Sequence, residues 1–381
     1  MFDALVIGGG PAGATAAALL AQAGWTVAVA EKSRFPRDKV CGGFLAPTCA
    51  PLLEKLGLSE SFARMAGPEI RRVGLFAGDA RLSADMPRAP APCPAHGRAV
   101  RREQFDAMLL ERARACGATV YQPLSIVRIE KERGGFLCFA REERVRARVV
   151  IAAHGSWMPG PLATQPRRAA ARGSDLLAFK AHFRDAALPA DLMPLVAFPG
   201  GYGGIVNTDD GCTLSLCVRR DMLKACRSRY PRIEAGDAVL AHIANACSAL
   251  RDALGGARRA GPWLATGPVR PGVRPFFIDG VFVTGNAAGE AHPAIAEGIG
   301  MAMQSAVMLC RTLVARPRSD REAASDYEQR WRARFGFRVT ASALIAQTAM
   351  HPWAIELSER LMRRVPLLLT YFAELSGKAA A

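Results

Sequence analysis

Apolar residues open the chain in a short unbroken run, Ala4-Leu5-Val6-Ile7, that stops at Gly8-Gly9-Gly10. A run this short, bounded by glycines, predicts a buried strand over residues 2–7. The alanine-rich stretch that follows predicts a helix over 11–23, with Gly24 as its C-cap. A second strand is predicted at 27–30, closed by Glu31. Strand, turn, helix and strand within 31 residues form the opening of a doubly wound sheet.

The pattern then loosens into a loop at 34–50, rich in Gly, Pro and Cys, before a short helix predicted at 51–58. Residues 70–95 read as strands separated by turns. Phe105, Met108, Leu109, Arg112, Ala113 and Cys116 repeat at helical spacing, predicting an amphipathic helix over 103–116. Strand signals return at 118–129, 135–140 and 144–152. The stretches 176–183, 195–199 and 213–218 read as members of an antiparallel sheet, and helices are predicted near 221–228 and 234–253. A strand at 281–284 precedes a glycine-marked turn and a helix over 298–314. From 320 onward the pattern is helical, broken at Pro352 and Pro366. The expected fold class is α/β: a Rossmann-type nucleotide domain interleaved with an antiparallel-sheet substrate domain, followed by a helical C-terminus. Segments 1–64, 96–160 and 265–315 are assigned to the first domain, 65–95 and 174–264 to the second, and 316–381 to the helical tail.

Composition narrows the functional classes. Half of the 381 residues are apolar and 22% are charged, an ordinary globular balance. The net charge of +16 invites a nucleic-acid reading. The arginines are scattered in ones and twos, however, and no helix carries base-reading aromatics, so no nucleic-acid partner is expected. A basic surface that attracts anionic cofactors, acidic partners or membrane headgroups fits better. Ten cysteines include no Cys-x-x-Cys pair and do not cluster with the six histidines, so neither a metal site nor a disulfide framework is expected. No basic leader precedes the first apolar run, and no stretch reaches the ~18 uninterrupted apolar residues of a membrane span. A cytoplasmic location is expected. In the tail, Trp353, Leu357, Leu361, Met362 and 367–369 lie beside Arg360, Arg363 and Arg364; packing against the rest of the protein is expected, with peripheral membrane contact as the alternative.

Two constellations carry the chemistry. In Gly8-x-Gly10-x-x-Gly13, the first glycine permits a tight turn, the second lets the backbone approach a pyrophosphate, and the third lets helix and strand pack closely. Phosphates sit at the helix N-terminus, beside Pro11 and Ala12, where free amides and the dipole favour negative charge. Glu31, with Lys32 next to it, ends the second strand 18 residues past Gly13 and is placed to accept hydrogen bonds from an adenosine ribose. The second constellation is Gly285-Asn286-Ala287-Ala288-Gly289, then Glu290-Ala291-His292-Pro293 and Glu297-Gly298-Ile299-Gly300. Small residues let the chain pass close to a planar ligand, and Asn286 can bind a sugar-like hydroxyl. The amides of Gly298, Ile299 and Gly300 open a helix whose positive end favours charge on a reduced flavin.

These motifs, with Arg102-x-x-Phe105-Asp106 heading a helix that ends at Gly117-Ala118, resemble the para-hydroxybenzoate hydroxylase-like flavoproteins. That superfamily includes aromatic monooxygenases, geranylgeranyl reductases and flavin-dependent halogenases. The resemblance spans roughly residues 1–315. It implies FAD as the cofactor, with Arg102 on the phosphates or ribityl chain. Asn286 stands where the family usually has an aspartate. His154 stands where the monooxygenases have the aspartate of an Asp-Gly motif linked to FAD and NADPH. The histidine there speaks against direct reduction by NADPH, so a partner reductase stands as the alternative to NADH or NADPH as the electron donor. Arg37-Asp38-Lys39-Val40-Cys41-Gly42-Gly43 looks most like the geranylgeranyl reductases, whose similar loop lies near the flavin ring; Cys41 then either faces the active site or packs inertly. The reductases' Tyr-x-Trp is replaced by Pro194 and Val196, and the halogenases' Trp-x-Trp-x-Ile-Pro is not present. His292, on the turn expected to face the flavin, is the candidate acid or base, with a titration near neutrality. The resemblance implies, first, a monooxygenase that hydroxylates a small apolar or aromatic substrate through a flavin C4a-hydroperoxide. A C=C reductase of the geranylgeranyl type and a flavoprotein acting on a protein partner are the alternatives.

Overall fold

In the computed structural model the described residues are 1–156, 158–167, 169–316 and 320–378. Strand β1 (Phe2–Ile7) runs into α1 (Pro11–Gln22) and returns as β2 (Val27–Ala30). Helices α2 (Ala50–Lys55) and α3 (Ser59–Met65) follow, and then the hairpin β3 (Arg72–Ala77) and β4 (Ala80–Asp85). Next come α4 (Arg102–Ala115), β5 (Thr119–Tyr121), β6 (Arg128–Glu132), β7 (Gly135–Phe139) and β8 (Arg144–Ala152). The chain then leaves for a second sheet through β9 (Leu176–Arg184), β10 (Leu192–Phe198), β11 (Gly201–Thr208) and β12 (Gly211–Arg219). After α5 (Arg220–Arg229), α6 (Ala235–Ala246), α7 (Ser248–Leu254) and β13 (Leu264–Val269), β14 (Val281–Val283) returns to the first sheet. Four helices close the chain: α8 (Gly298–Ala315), α9 (Arg321–Met350), α10 (Pro352–Arg364) and α11 (Leu367–Leu375).

The first sheet is ordered β14-β8-β1-β2-β5, with all four pairings parallel, and β7 and β6 add to β8 as an antiparallel flap. Its central strands are buried on both faces, which is why they read as continuous apolar runs and not as alternation. Helix α8 is long and apolar enough to cross a membrane, yet it is a mostly buried core helix packed between α1 and α9.

The second sheet is ordered β9-β12-β11-β10-β3-β4. It is mixed where an antiparallel sheet was expected, because β10 runs parallel to β3. Between these two strands the chain passes through α4 and through β5–β8 of the first sheet, so the long connection needed for parallel pairing is available. β13, whose residues from 265 onward were assigned to the first domain, pairs instead with the free edge of β9 and covers it. The glycine-rich β11, not singled out among the expected strands, lies between β10 and β12. Gly203 fits there because a side chain at that position would start 2.8 Å from the Ser215 carbonyl oxygen.

One face of this sheet packs on α5–α7 through Phe179, Phe198, Leu214, Leu216, Val239 and Leu250. The opposite face packs on α9–α11, through Ala178, Ala197, Tyr202 and Cys217 against Ala346, Ala349, Ile355 and Leu369. Thus the tail breaks at Pro352 and Pro366, as its prolines predict, and folds back over the sheet.

Candidate functional site

The parallel pairings bring together segments that lie far apart in sequence. Ala153 N donates to Ile7 O at 2.8 Å and Thr284 N to Ala152 O at 2.9 Å, so β1, β8 and β14 end side by side. Each is followed by one of the predicted motifs: Gly8–Gly13, His154-Gly155 and Gly285–Gly289. At Gly8, φ is +108° and a side chain would begin 2.6 Å from Ala153 O; at Gly13 it would begin 1.8 Å from Gly8 O. Neither position admits a Cβ. A side chain at Gly285 would begin 2.7 Å from the Ala12 methyl, so the turn after β14 sits directly on the first turn of α1. At Gly10 the space is open as far as Arg37 Nη2, 3.8 Å away.

The charges around this opening are mainly positive. Arg37 lies over the Phe35 ring and reaches Asp106 at 3.5 Å and Glu31 at 4.0 Å. Lys39 Nζ lies 3.5 Å from where a side chain on Gly155 would begin. Part of the Lys39 side chain reaches solvent, but its ammonium is enclosed. That burial, reinforced by the Arg102 and Arg37 guanidiniums, pushes it down to about 8. Arg102 is itself buried in a two-pronged pair with Asp106, both contacts 2.7 Å, and the Cys41 thiol sits against it. Burial opposes the Arg102 charge, but Asp106 and Cys41 more than offset this and hold it above the ordinary arginine range. Glu31 is buried and accepts from Gly9 N at 2.7 Å and Ser33 N at 2.9 Å. Each carboxylate oxygen keeps a free lone pair for a ribose hydroxyl.

Not every predicted contact converges here. Lys32 is exposed and reaches Met158 Sδ at 3.1 Å, beside and not in the turn. Asn286 donates through Nδ2 to Glu290 at 3.1 Å, while its backbone carbonyl oxygen accepts from Arg274 at 3.0 Å. Glu290 also accepts from Ser156 at 2.5 Å. His154 bonds Thr164 Oγ1 at 3.0 Å through Nε2, and burial lowers its pKa. Gly298, Ile299 and Gly300 open α8 as predicted, with Gly300 against the Cys49 sulfur and Glu297 as the N-cap residue.

His292 differs from the expectation of a group titrating near neutrality. It is buried, its backbone N donates to Ser342 Oγ at 2.8 Å, and its Nδ1 is hydrogen-bonded to the Tyr202 hydroxyl. Desolvation pushes the imidazole down to about 4, so it is neutral at pH 7. Tyr202, also bonded to the Cys217 thiol, is held well above the ordinary tyrosine range, chiefly by burial.

Sequence reasoning missed one more network. Asp38 accepts from Lys180 Nζ at 2.6 Å, from His182 Nε2 at 2.9 Å and from Lys39 N at 2.7 Å; His182 Nδ1 meets Thr213 Oγ1 at 2.9 Å. Lys180 is 1% exposed. The available signal was polar Lys180 and His182 at alternate positions of an otherwise apolar strand, which asks for a buried partner.

The donor set fits FAD: closed glycine contacts at a strand–helix turn, three cations around the open side of that turn, a ribose-ready carboxylate, and a second helix N-terminus at α8. Comparison with known proteins agrees. A family model described as an FAD binding domain matches residues 1–186. Menaquinone reductase of Mycolicibacterium smegmatis is 33% identical over 133 residues, 35% of this chain and 32% of that protein. Tryptophan 2-halogenase of Chondromyces crocatus is 36% identical over 126 residues, 33% of this chain and 23% of that protein. The matched stretch thus spans about a third or less of these curated relatives. Among solved structures, the flavin-dependent brominase Bmp2 superposes with a TM-score of 0.78 at 19% identity, covering 100% of this chain and 94% of that one. A geranylgeranyl bacteriochlorophyll reductase-like protein from Thermoplasma acidophilum gives 0.73 at 18% identity, covering 98% and 99%. At such identities the structural likeness speaks for the fold alone.

Proposed function

We propose that the chain, whose residues 1–186 match an FAD binding domain, is an FAD-dependent monooxygenase of a small apolar or aromatic substrate. The observation that carries this reading is one apolar layer. Val40 of the loop after β2 and Ala294 of the turn before α8 join Ala178, Leu195, Ala197, Tyr202 and Cys217 of the second sheet in a single cluster, closed by α9–α11. The two segments that would flank a flavin ring therefore meet the substrate-side sheet at a dry surface. Bound FAD, once reduced by NADH, NADPH or a partner reductase, supplies the oxygen chemistry.

The chain's own residues bind, orient and exclude water. Gly8, Gly10 and Gly13 with the α1 amides take the pyrophosphate, assisted by Arg37 and Lys39, and Glu31 takes the ribose. The N-terminus of α8 favours negative charge at its mouth. His292 is neutral at pH 7 and tied to Tyr202, so it works as a fixed hydrogen-bonding dipole and not as a proton donor. That suits oxygen insertion, in which the protein mainly positions an apolar substrate and shields it from water. The test is turnover with reduced cofactor: oxygen consumption matched by an oxygenated product supports the reading.

One observation favours a second reading. The Cys41 side chain lies against the buried Arg102, in the loop that resembles that of the geranylgeranyl reductases. The name of the menaquinone reductase relative points the same way. Anaerobic turnover with loss of a double bond would establish this reading and exclude the first.

A further inference from the structure

The C-terminal helices turn one apolar face inward and leave another uncovered. Of the fifteen large apolar side chains exposed among the described residues, nine fall between 337 and 372, so the tail carries the main greasy surface of the molecule. On α10 the division is sharp. Ala354 and Ile355 are buried and Met362 half-buried toward the second sheet, while Trp353, Leu357 and Leu361 recur every four residues on the opposite side, 67%, 60% and 49% exposed. Val365, Leu367 and Tyr371 continue the exposed apolar series through the turn into α11. A soluble surface helix has no reason to place a tryptophan and two leucines in water on one stripe.

Charge selects the occupant. Arg360 and Arg364 fall on the same helical side as this stripe, are exposed, and make no ion pair among the described residues. Arg363, one position from Arg364, is spent on Glu359 at 2.8 Å. An apolar stripe edged by free arginines, on a chain of net charge +16, is complementary to an anionic lipid surface: the rings and leucines enter the acyl boundary while the guanidiniums meet headgroup phosphates. A second copy of this chain would bring the same arginines and the same positive excess against each other, which disfavours a symmetric dimer on this face. We propose that the outer face of α10, extended by the start of α11, docks the protein on anionic membranes. The proposal does not depend on which reaction the flavin performs.

The test uses the full-length protein with FAD bound and sedimentation with vesicles of phosphatidylcholine alone or with about a third phosphatidylglycerol. The wild type is expected to co-sediment with the anionic vesicles, less at high salt, and to shift its tryptophan emission to the blue. Trp353→Ser/Leu357→Ser/Leu361→Ser keeps every charge and is expected to lose more than tenfold in partitioning. Arg360→Gln/Arg364→Gln is expected to lose about fivefold per arginine, and with it most of the salt dependence. Unchanged flavin absorbance and melting temperature exclude misfolding as the cause. The proposal is overturned if the wild type does not sediment with anionic vesicles. It is equally overturned if the triple variant sediments like the wild type, since the overall charge would then suffice. A concentration-dependent dimer that the triple variant abolishes would reassign the face to a contact between copies.

Discussion

Replacing Asp38 by asparagine tests whether the loop after β2 is clamped to the second sheet by charge. Asp38 Oδ1 accepts from Lys180 Nζ at 2.6 Å, and the Lys180 side chain is 2% exposed against 18% for Asp38. Removing one member of such a pair leaves an ammonium with no anion in a nearly dry site, which costs roughly 3–5 kcal/mol. The partial exposure of Asp38 argues for the lower end, about 3 kcal/mol. The amide oxygen that Asp38→Asn introduces can still accept from Lys180, with the Lys39 carbonyl at 3.4 Å as a second, weaker acceptor, so what the variant removes is the neutralising charge and not the hydrogen bond. At roughly 1.2 °C per kcal/mol for a chain of this size, the melting temperature should fall by about 4 °C. The same loop carries Arg37 and Lys39, so FAD affinity should fall as well, by about tenfold or more, as the two cations lose their fixed positions.

The sign with pH is definite. Burial works against the Asp38 carboxylate, but the bonds from His182 and Lys180 outweigh it and hold its pKa well below the ordinary aspartate range. Its contribution is therefore complete above pH ~4, where an unfolded aspartate titrates, and fades only as pH falls below that toward the depressed folded value. The decisive comparison is Asp38→Asn against the double variant Asp38→Asn/Lys180→Met, by thermal melts and FAD titration. The double variant should recover most of the lost stability, because no unpaired charge remains. A single variant that costs under 1 kcal/mol, or a double variant no better than the single one, would refute the clamp.

Three further outcomes follow from other parts of the structure. Gly13→Ala should destabilise the apoprotein and abolish FAD binding, because its methyl would lie 1.8 Å from Gly8 O, whereas Gly10→Ala should leave the apoprotein melt unchanged and weaken FAD alone; melts with and without FAD separate the two. His292, held at about 4 against an unfolded ~6.5, makes the protein lose up to about 3 kcal/mol as pH drops from 6.5 to 4, since the unfolded chain takes up that proton first. His292→Gln keeps an acceptor for Tyr202 and should flatten that acid limb in denaturant titrations. Lys378 Nζ donates to Ile295 O at 2.6 Å and lies 3.4 Å from the buried Glu297, which stands just before the first turn of α8. Lys378→Met should cost about 3 kcal/mol, and Lys378→Met/Glu297→Gln should restore much of it, as measured by a double-mutant cycle.

What the sequence made legible was local. The strand–glycine–helix openings at Gly8 and Gly285 are written in adjacent residues, because a tight turn and a close helix approach leave no room for a side chain. The breaks at Pro352 and Pro366 were equally plain, since proline cannot continue a helix. Pairings across long stretches of chain were not legible: Lys180 meets Asp38 142 positions away, Lys378 meets Glu297 81 positions away, and β13 pairs with β9 instead of joining the first sheet. No periodicity encodes such partners. The same holds for the environment of His292. Its identity suggested titration near neutrality, but burial beside Tyr202 and Ser342, both contributed by other elements, pushes it down to about 4. This asymmetry bears on function. The motifs that grip the cofactor are short and contiguous and so identify FAD from sequence. The surface that would choose the substrate is assembled from β9–β12 and α9–α11, where the sequence says little beyond apolar, and the choice between oxygen insertion and double-bond reduction rests on side chains that only the fold brings together.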